Sequence, residues 1–311
     1  MRYYPNPSEN ADLGLINNAI EEAFSEHGRG NVRMPPKSYI FFDKGDFRTM
    51  PAYIPSLNIA GVKVVNVHPN NREHGLPTVM ALLILIDPKT GYPYALMNAT
   101  ELTDLRTAAA GAVAAKHLSP KKSVVMGVMG SGNQAKAQIA ATAAELEIEE
   151  LRIWSRDGRN AEKLCELYSR YECRSEKPEK VCDCDLLVTT TPSVKPVVKD
   201  EWINKGTHIN AIGADAPGKQ ELEATLLKRA TVIVDDYAQA LHSGEINIPI
   251  SSGYYTEKEI SGTIGEYVLG KKARRSSDEI TIFDSTGLAI QDLAIAKAVI
   301  ISENTIKLNF P

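Results

Sequence analysis

Around residue 130 an apolar run, Val124-Val125-Met126-Gly127-Val128, breaks into Gly130-Ser131-Gly132-Asn133-Gln134-Ala135 and passes into a stretch of helical character. Two glycines alone would mark any turn. Between a strand and a helix they constrain the fold strongly: the first permits a tight bend, the second lets backbone approach a pyrophosphate, and the third small residue lets helix pack on strand. Gly130, Gly132 and Ala135 fill those places. The segment therefore predicts a dinucleotide-binding turn, with Ser131, Asn133 and Gln134 beside the phosphates.

Beyond the turn the chain fits the same architecture. Short apolar strands at Ser123–Val128, Leu151–Trp154, Asp185–Thr189, His208–Ile212 and Thr231–Val234 alternate with helical patterns at Asn133–Leu146, Arg159–Tyr171 and Glu221–Arg229. Such alternation signals a parallel sheet covered on both faces. Before it, a helix with Leu13, Ile16, Ile20, Ala23 and Phe24 on one face stops at Gly28-Arg29-Gly30. Strands are expected at Ser38–Phe42, Ala60–Val67, Val79–Ile86 and Tyr92–Met97, then an alanine-rich helix over Thr100–Leu118. From Phe283 onward a helix over Leu288–Ile301 is apolar on nearly every side and needs burial, against the first region or a second subunit. The fold class is α/β: a Rossmann dinucleotide-binding domain, residues 117–282, inserted into an α+β substrate-binding and dimerisation domain, residues 1–116 plus 283–311.

Composition narrows the partners. A formal net charge of -4 over 311 residues, with Lys and Arg scattered, leaves no basic stripe for nucleic acid. The longest apolar run, Val79–Ile86, falls far short of the roughly 18 residues that a membrane span needs. The start, Met1-Arg2-Tyr3-Tyr4-Pro5, lacks an apolar leader core, so a cytoplasmic protein is expected. Four cysteines lie between Cys165 and Cys184, but Cys182-Asp183-Cys184 lacks zinc-site spacing and no His falls nearby. No metal is expected, and the cysteines are read as structural or incidental, with a regulatory disulfide as the alternative.

The end of the second strand carries the cofactor choice. An acidic residue there accepts from the ribose 2'-hydroxyl of NAD, whereas a nearby Arg accommodates the 2'-phosphate of NADP. Here the chain reads Trp154-Ser155-Arg156-Asp157. Ser155 and Arg156 favour NADP(H) over NAD(H), and Asp157 is the ribose acceptor only if the strand ends later.

On the substrate side, Arg33, Lys37, Arg48, Lys63 and Arg106 stand among apolar or turn residues. Each taken singly suits a solvated surface. Lys63 and Arg106 resist that reading, because Lys63 lies inside Gly61-Val62-Lys63-Val64-Val65 and Arg106 in a helix of Ala, Leu and Thr. Burying an unpaired cation costs several kcal/mol, so each should meet a carboxylate or a ligand such as a small amino or keto acid. Asp215 is set just past the carboxyl end of a strand, where such folds bind ligands; a turn or helix-capping Asp is the plainer alternative.

Met34-Pro35-Pro36-Lys37, Asp46-Phe47-Arg48-Thr49-Met50-Pro51-Ala52, Gly75-Leu76-Pro77-Thr78-Val79-Met80-Ala81, Leu105-Arg106-Thr107-Ala108-Ala109, the Gly130 turn, Gly213-Ala214-Asp215-Ala216-Pro217-Gly218-Lys219-Gln220-Glu221-Leu222 and Phe283-Asp284-Ser285-Thr286-Gly287 together resemble the ornithine cyclodeaminase and mu-crystallin family. The resemblance spans essentially the whole chain and is strongest to its archaeal-type alanine dehydrogenase branch. It implies a homodimer, a substrate carboxylate held by Arg48, Lys63 and Arg106 with Lys37 or Arg33 assisting, and catalysis by Asp215 and Lys63. Cofactor contacts are expected to extend to Thr107, Thr190, Thr191, Ile212, Gly213 and Ser285. The implied reaction is reversible oxidative deamination of a small L-amino acid, alanine to pyruvate and ammonia. Alternatives are reduction of pyrroline- or piperideine-2-carboxylate, ornithine cyclisation, and non-catalytic ligand binding. Arg48 stands where ornithine cyclodeaminases carry a Glu, and Ser155 where NAD-using members commonly carry an Asp.

Overall fold

A computed structural model describes residues 1–9, 11–300 and 304–310. Its strands are β1 Arg2–Tyr4, β2 Ser38–Phe42, β3 Gly45–Ile54, β4 Ile59–Val67, β5 Val79–Ile86, β6 Pro93–Asn98, β7 Ser123–Met129, β8 Glu147–Trp154, β9 Glu172–Ser175, β10 Leu186–Thr189, β11 His208–Ala211, β12 Thr231–Val234, β13 Gly262–Thr263, β14 Thr281–Asp284 and β15 Ile306–Lys307. The helices are α1 Leu13–Gly28, α2 Thr100–Leu118, α3 Asn133–Thr142, α4 Gly158–Leu167, α5 Pro178–Cys182, α6 Ala224–Arg229, α7 Tyr237–Ser243, α8 Asn247–Ser251, α9 Ile264–Val268 and α10 Ala289–Val299. Two compact units divide the chain. One holds Met1–Arg106 with Leu288–Pro311, the other Thr107–Gly287, so α2 changes unit after Arg106.

The first unit is built on a mixed seven-stranded sheet, ordered β15-β1-β6-β5-β4-β3-β2, in which only β1 and β6 run parallel. Period-2 alternation selects its covered face: Arg48, Met50, Ala52 and Ile54 on β3, and Ile59, Gly61, Lys63 and Val65 on β4. α10 packs on β3, β4 and α1. Burial reaches both sides of α10, from Ala289 through Ala296, which answers the expectation that so apolar a helix must be enclosed, here within its own unit. Ile301, the last residue expected in that helix, lies outside the described residues.

β3 is not anticipated by the sequence pattern, since Pro51 interrupts its apolar run and proline donates nothing to a ladder. It is tolerated because β2 pairs only with Gly45–Thr49, leaving Pro51 in the overhang.

The second unit is a parallel eight-stranded sheet, ordered β13-β12-β14-β11-β10-β7-β8-β9. From β7 the chain winds outward through β8 to β9, then returns to β10 on the other side of β7. The carboxyl ends of β7 and β10 thus form a topological switch point, where open sheets of this type bind ligands. β14 is not among the strands expected from sequence, yet it lies inside the sheet between β11 and β12. Four-residue buried strands carry no periodicity of their own, and the same holds for β10, β11 and β12.

Cys165 and Cys173 are joined as a disulfide between α4 and β9. Cys182 and Cys184 remain buried thiols, pushed upward in pKa by burial, Cys182 to about 12. Among the described residues no helix is long and apolar enough to cross a membrane, and no His, Cys, Asp and Glu gather as a metal-ligating group.

Candidate active site

In the second unit the Gly130 turn sits at the switch point. Gly130 has φ +122°, its N–H donates to the Trp154 carbonyl, and an added Cβ would collide with Thr190 Oγ1. Only glycine fits there. Gly132 caps α3 with φ -82°, and a Cβ placed on it would meet no atom within 4 Å. Gly132 stands at the N-terminus of a ten-residue helix, whose partial positive charge favours an anion. Ala135 is fully buried under the turn.

Around the turn, Thr190, Thr191, Ile212, Gly213 and Ser285 fall at the carboxyl edge of the sheet, and Thr107 lies on α2. Thr190 N donates to the Met129 carbonyl, Ile212 N to Thr189, and Ser285 N to Ala211. The Thr107 carbonyl accepts from Gln138 Nε2 on α3 at 3.1 Å. Ser285 Oγ is buried without a hydrogen-bond partner. An orphaned hydroxyl at the edge and a glycine-floored cradle at a helix N-terminus both fit a nicotinamide dinucleotide.

A group missed in the sequence pins this edge. The Glu221 carboxylate accepts from Thr189 Oγ1 at 2.6 Å, Thr191 N at 2.6 Å, Thr191 Oγ1 at 2.7 Å and Gly213 N at 2.8 Å. Its own N–H and that of Leu222 donate to Glu245, whose N–H donates to Asp284. Asp235 likewise takes Thr286 N and Gly287 N. Burial raises the pKa of Glu221 and, more strongly, of Glu245. In the sequence Glu221 stands as one member of a longer motif; a lone acid in Gln220-Glu221-Leu222 next to a strand carries the signal.

At the end of β8, Ser155 Oγ donates to the Asp157 carbonyl, and Arg156 is exposed. Asp157 turns back to cap α4, accepting from Arg159 N and pairing with the Arg159 guanidinium. Asp215 lies in the turn after β11, partly exposed, and its Oδ1 accepts from Lys219 Nζ at 2.6 Å. Asn247 anchors that turn through Gly218 N and the Lys219 carbonyl.

In the first unit the expected cations separate. Arg33 is exposed, over the Tyr53 ring. Arg48 is buried and grips Asp46 through Nε at 2.7 Å and Nη2 at 3.1 Å, with its guanidinium over Tyr39. Lys63 is fully buried, and its Nζ donates to Asp292 Oδ1 at 2.7 Å. Arg106 Nε stands 3.1 Å from the same oxygen, while Arg106 Nη1 donates to Gln291 Oε1 at 2.8 Å. Lys63 and Arg106 thus share one carboxylate. Burial first, then Arg106, lowers the Lys63 pKa from 10.5 to about 7 against the pull of Asp292, with Lys37 near enough to add to the lowering. Asp292 is not among the residues singled out from sequence; an acid inside an otherwise apolar helix calls for a partner by the same reasoning that points to Lys63.

Comparison with known proteins matches these features to one group. The chain is 52% identical over 287 residues to the alanine dehydrogenase of Archaeoglobus fulgidus, covering 91% of this chain and 88% of that one. A solved archaeal alanine dehydrogenase dimer with bound NAD superposes with a TM-score of 0.95 at 45% identity, covering 99% of both chains. The Δ1-pyrroline-2-carboxylate reductase of Thermococcus litoralis, in complex with NADH and L-proline, gives 0.92 at 34% identity and 96% coverage of both. The model of the ornithine cyclodeaminase/mu-crystallin family matches residues 8–306, and the chain belongs to that family.

Proposed function

We propose that the protein is a homodimeric NAD(P)-dependent oxidoreductase of the C–N bond, an alanine dehydrogenase that interconverts L-alanine with pyruvate and ammonia. The observation that carries the substrate class is the charge imbalance around Asp292. Two buried cations, Lys63 and Arg106, face one carboxylate oxygen, and Lys37 adds to the positive field. An excess buried positive charge is costly and is relieved by an anion of small size. The carboxylate of an α-amino or α-keto acid supplies it, and the relatives point to alanine.

In this mechanism Arg106, with Arg48 and Lys63, holds the substrate carboxylate, which orients Cα and its nitrogen and lowers the barrier by positioning. Lys37 assists, and the exposed Arg33 has a peripheral place. Lys63, near neutrality in pKa, exchanges a proton with the substrate amine or imine. Asp215 is the second acid/base group and must release Lys219 to act. Gly130, Ser131, Gly132, Asn133, Gln134 and Ala135 seat the pyrophosphate, and Thr107, Thr190, Thr191, Ile212, Gly213 and Ser285 line the remainder of the dinucleotide. A dinucleotide held there would supply a hydride acceptor for the substrate Cα in deamination and a hydride donor in amination.

NADP(H) is the favoured form. With Asp157 occupied as the cap of α4 and the Ser155 hydroxyl donating to the Asp157 carbonyl, the exposed Arg156 is left to meet a 2'-phosphate. The solved relatives hold NAD or NADH, so use of both is expected, with NADPH ahead.

One assay decides. Oxidation of NADH and NADPH is followed with pyruvate plus ammonium, and separately with Δ1-pyrroline-2-carboxylate. Turnover with pyruvate plus ammonium at the higher kcat/KM is expected. Turnover with the cyclic imine alone would replace the assignment by an imine reductase, which the Thermococcus litoralis structure favours as the second reading. Ammonia release from ornithine would indicate cyclisation, and inactivity toward every amino and imino acid would leave a binding protein.

A further inference from the structure

Lys63 has no solvent exposure, so its protonation is decided by the groups packed around it. From α10 comes Asp292, and from α2 comes Arg106. Lys37 contributes from the segment before β2, and on β3 the same sheet face carries Arg48, already paired with Asp46. The directly opposed residues, Met50 on β3 and Leu83 on β5, are apolar. Asp292 is therefore the one carboxylate bonded to Nζ among the described residues.

Its geometry is specific. Oδ1 takes Lys63 at 2.7 Å and stands 3.1 Å from Arg106 Nε, outside hydrogen-bonding alignment, while Oδ2 is buried and unpartnered. Gln291, the preceding residue, accepts from Arg106 Nη1 and from Leu288 N, which tethers the guanidinium to the start of the same helix. A carboxylate with half its capacity unused, in an apolar helix, contributes little to packing. Its use lies in the charge it sets against the two buried cations, Lys63 above all.

We propose that Asp292 is a positioning residue for the reaction: through Oδ1 it fixes the Lys63 ammonium on the sheet face and holds its proton, while Arg106 on the same oxygen works in the opposite direction. Burial first, then Arg106, favour loss of that proton and Asp292 opposes them, which leaves Lys63 able to gain and lose a proton near pH 7. This rests on the assignment of Lys63 to proton exchange with the substrate nitrogen.

The test reads the titration of Lys63 directly and separately from turnover. The intact protein is labelled with [ε-13C]lysine, and the Lys63 resonance is identified by its loss in Lys63→Met. Removing an opposite charge in contact moves a pKa by about one unit or more. In Asp292→Asn the midpoint is expected to fall by that amount, and the matching limb of the kcat/KM pH profile to fall with it. In Asp292→Glu, which keeps the charge but displaces it, the midpoint should stay near that of the wild type while kcat drops about tenfold, the equivalent of ~1.4 kcal/mol. A midpoint unchanged in Asp292→Asn overturns the proposal. If that variant does not fold, full kcat in Asp292→Glu, or a midpoint lowered there by a unit, overturns it equally. A shifted midpoint in a protein that turns over no amino or imino acid would instead sustain the role of Asp292 and refute the enzymatic assignment.

Discussion

The buried lysine sets a signed dependence on pH. Its native pKa of about 7 lies below the unfolded value of 10.5, so between those limits the unfolded chain holds a proton that the native state lacks. The stability owed to this group rises with pH across that window and is lowest below about 7. Urea unfolding of wild type and Lys63→Met at several pH values should show the difference between them rising from pH 7 toward 10.5. Asp215→Asn should abolish turnover while leaving dinucleotide affinity nearly intact, as measured by kcat alongside fluorescence titration; retained activity would remove Asp215 from its role. Arg156→Ala should raise KM for NADPH about tenfold, the loss of roughly 1.4 kcal/mol, and leave KM for NADH little changed. Single residues are legible where chemistry and surroundings clash. Lys63 inside a run of valines and Arg106 among alanines announce burial, and both are buried against a carboxylate. Asp292 and Glu221 give the same clash from the other side of the charge balance, but their partners lie 229 and 32 residues away, beyond any local pattern.

At the level of elements, the β7–α3 turn makes two glycines separable. Gly130→Ala places a side chain at φ +122° and against Thr190, so it should cost about 1–3 kcal/mol of stability. Gly132→Ala meets no atom and keeps an ordinary φ, so its melting temperature should match that of the wild type. Its methyl group would occupy the phosphate cradle, and dinucleotide binding should weaken about tenfold or more. Calorimetry and ligand titration on the two variants distinguish fold from function. Helix α2 is legible to its ends because alanine-rich periodicity and Ser119-Pro120 bound it. Helices α3 and α4 end earlier than their apolar pattern suggests, at Thr142 and Leu167, and α6 starts later, at Ala224. The start of α6 is delayed because Glu221 and Leu222 are spent on hydrogen bonds to the sheet edge and to Glu245. The four-residue strands β10, β11 and β12 are legible as short apolar runs within the βα alternation, whereas β14, of the same length, is not.

For the whole molecule, assembly is the property most open to test. The edge strand β2 exposes Ile40, Phe41 and Phe42, with Phe41 70% accessible, and such an edge invites pairing or cover. A second copy is the proposed cover, in keeping with the dimeric archaeal relative. Phe41→Asp should then raise the dimer dissociation constant about 30-fold, ~2 kcal/mol, as seen by sedimentation. The sequence predicts a domain boundary between residues 116 and 117, at the end of the alanine-rich helix, whereas the boundary of the compact units at Arg106 and Thr107 falls inside α2, where no breaker marks it. The carboxylates at the edge of the second sheet bear on a different clock. Amides at Thr191, Gly213, Glu221, Leu222, Glu245, Thr286 and Gly287 lie outside the strands yet donate to Glu221, Glu245, Asp284 or Asp235. Deuterium should therefore enter these loops as slowly as it enters the strands, and the rim should open only when the sheet itself comes apart.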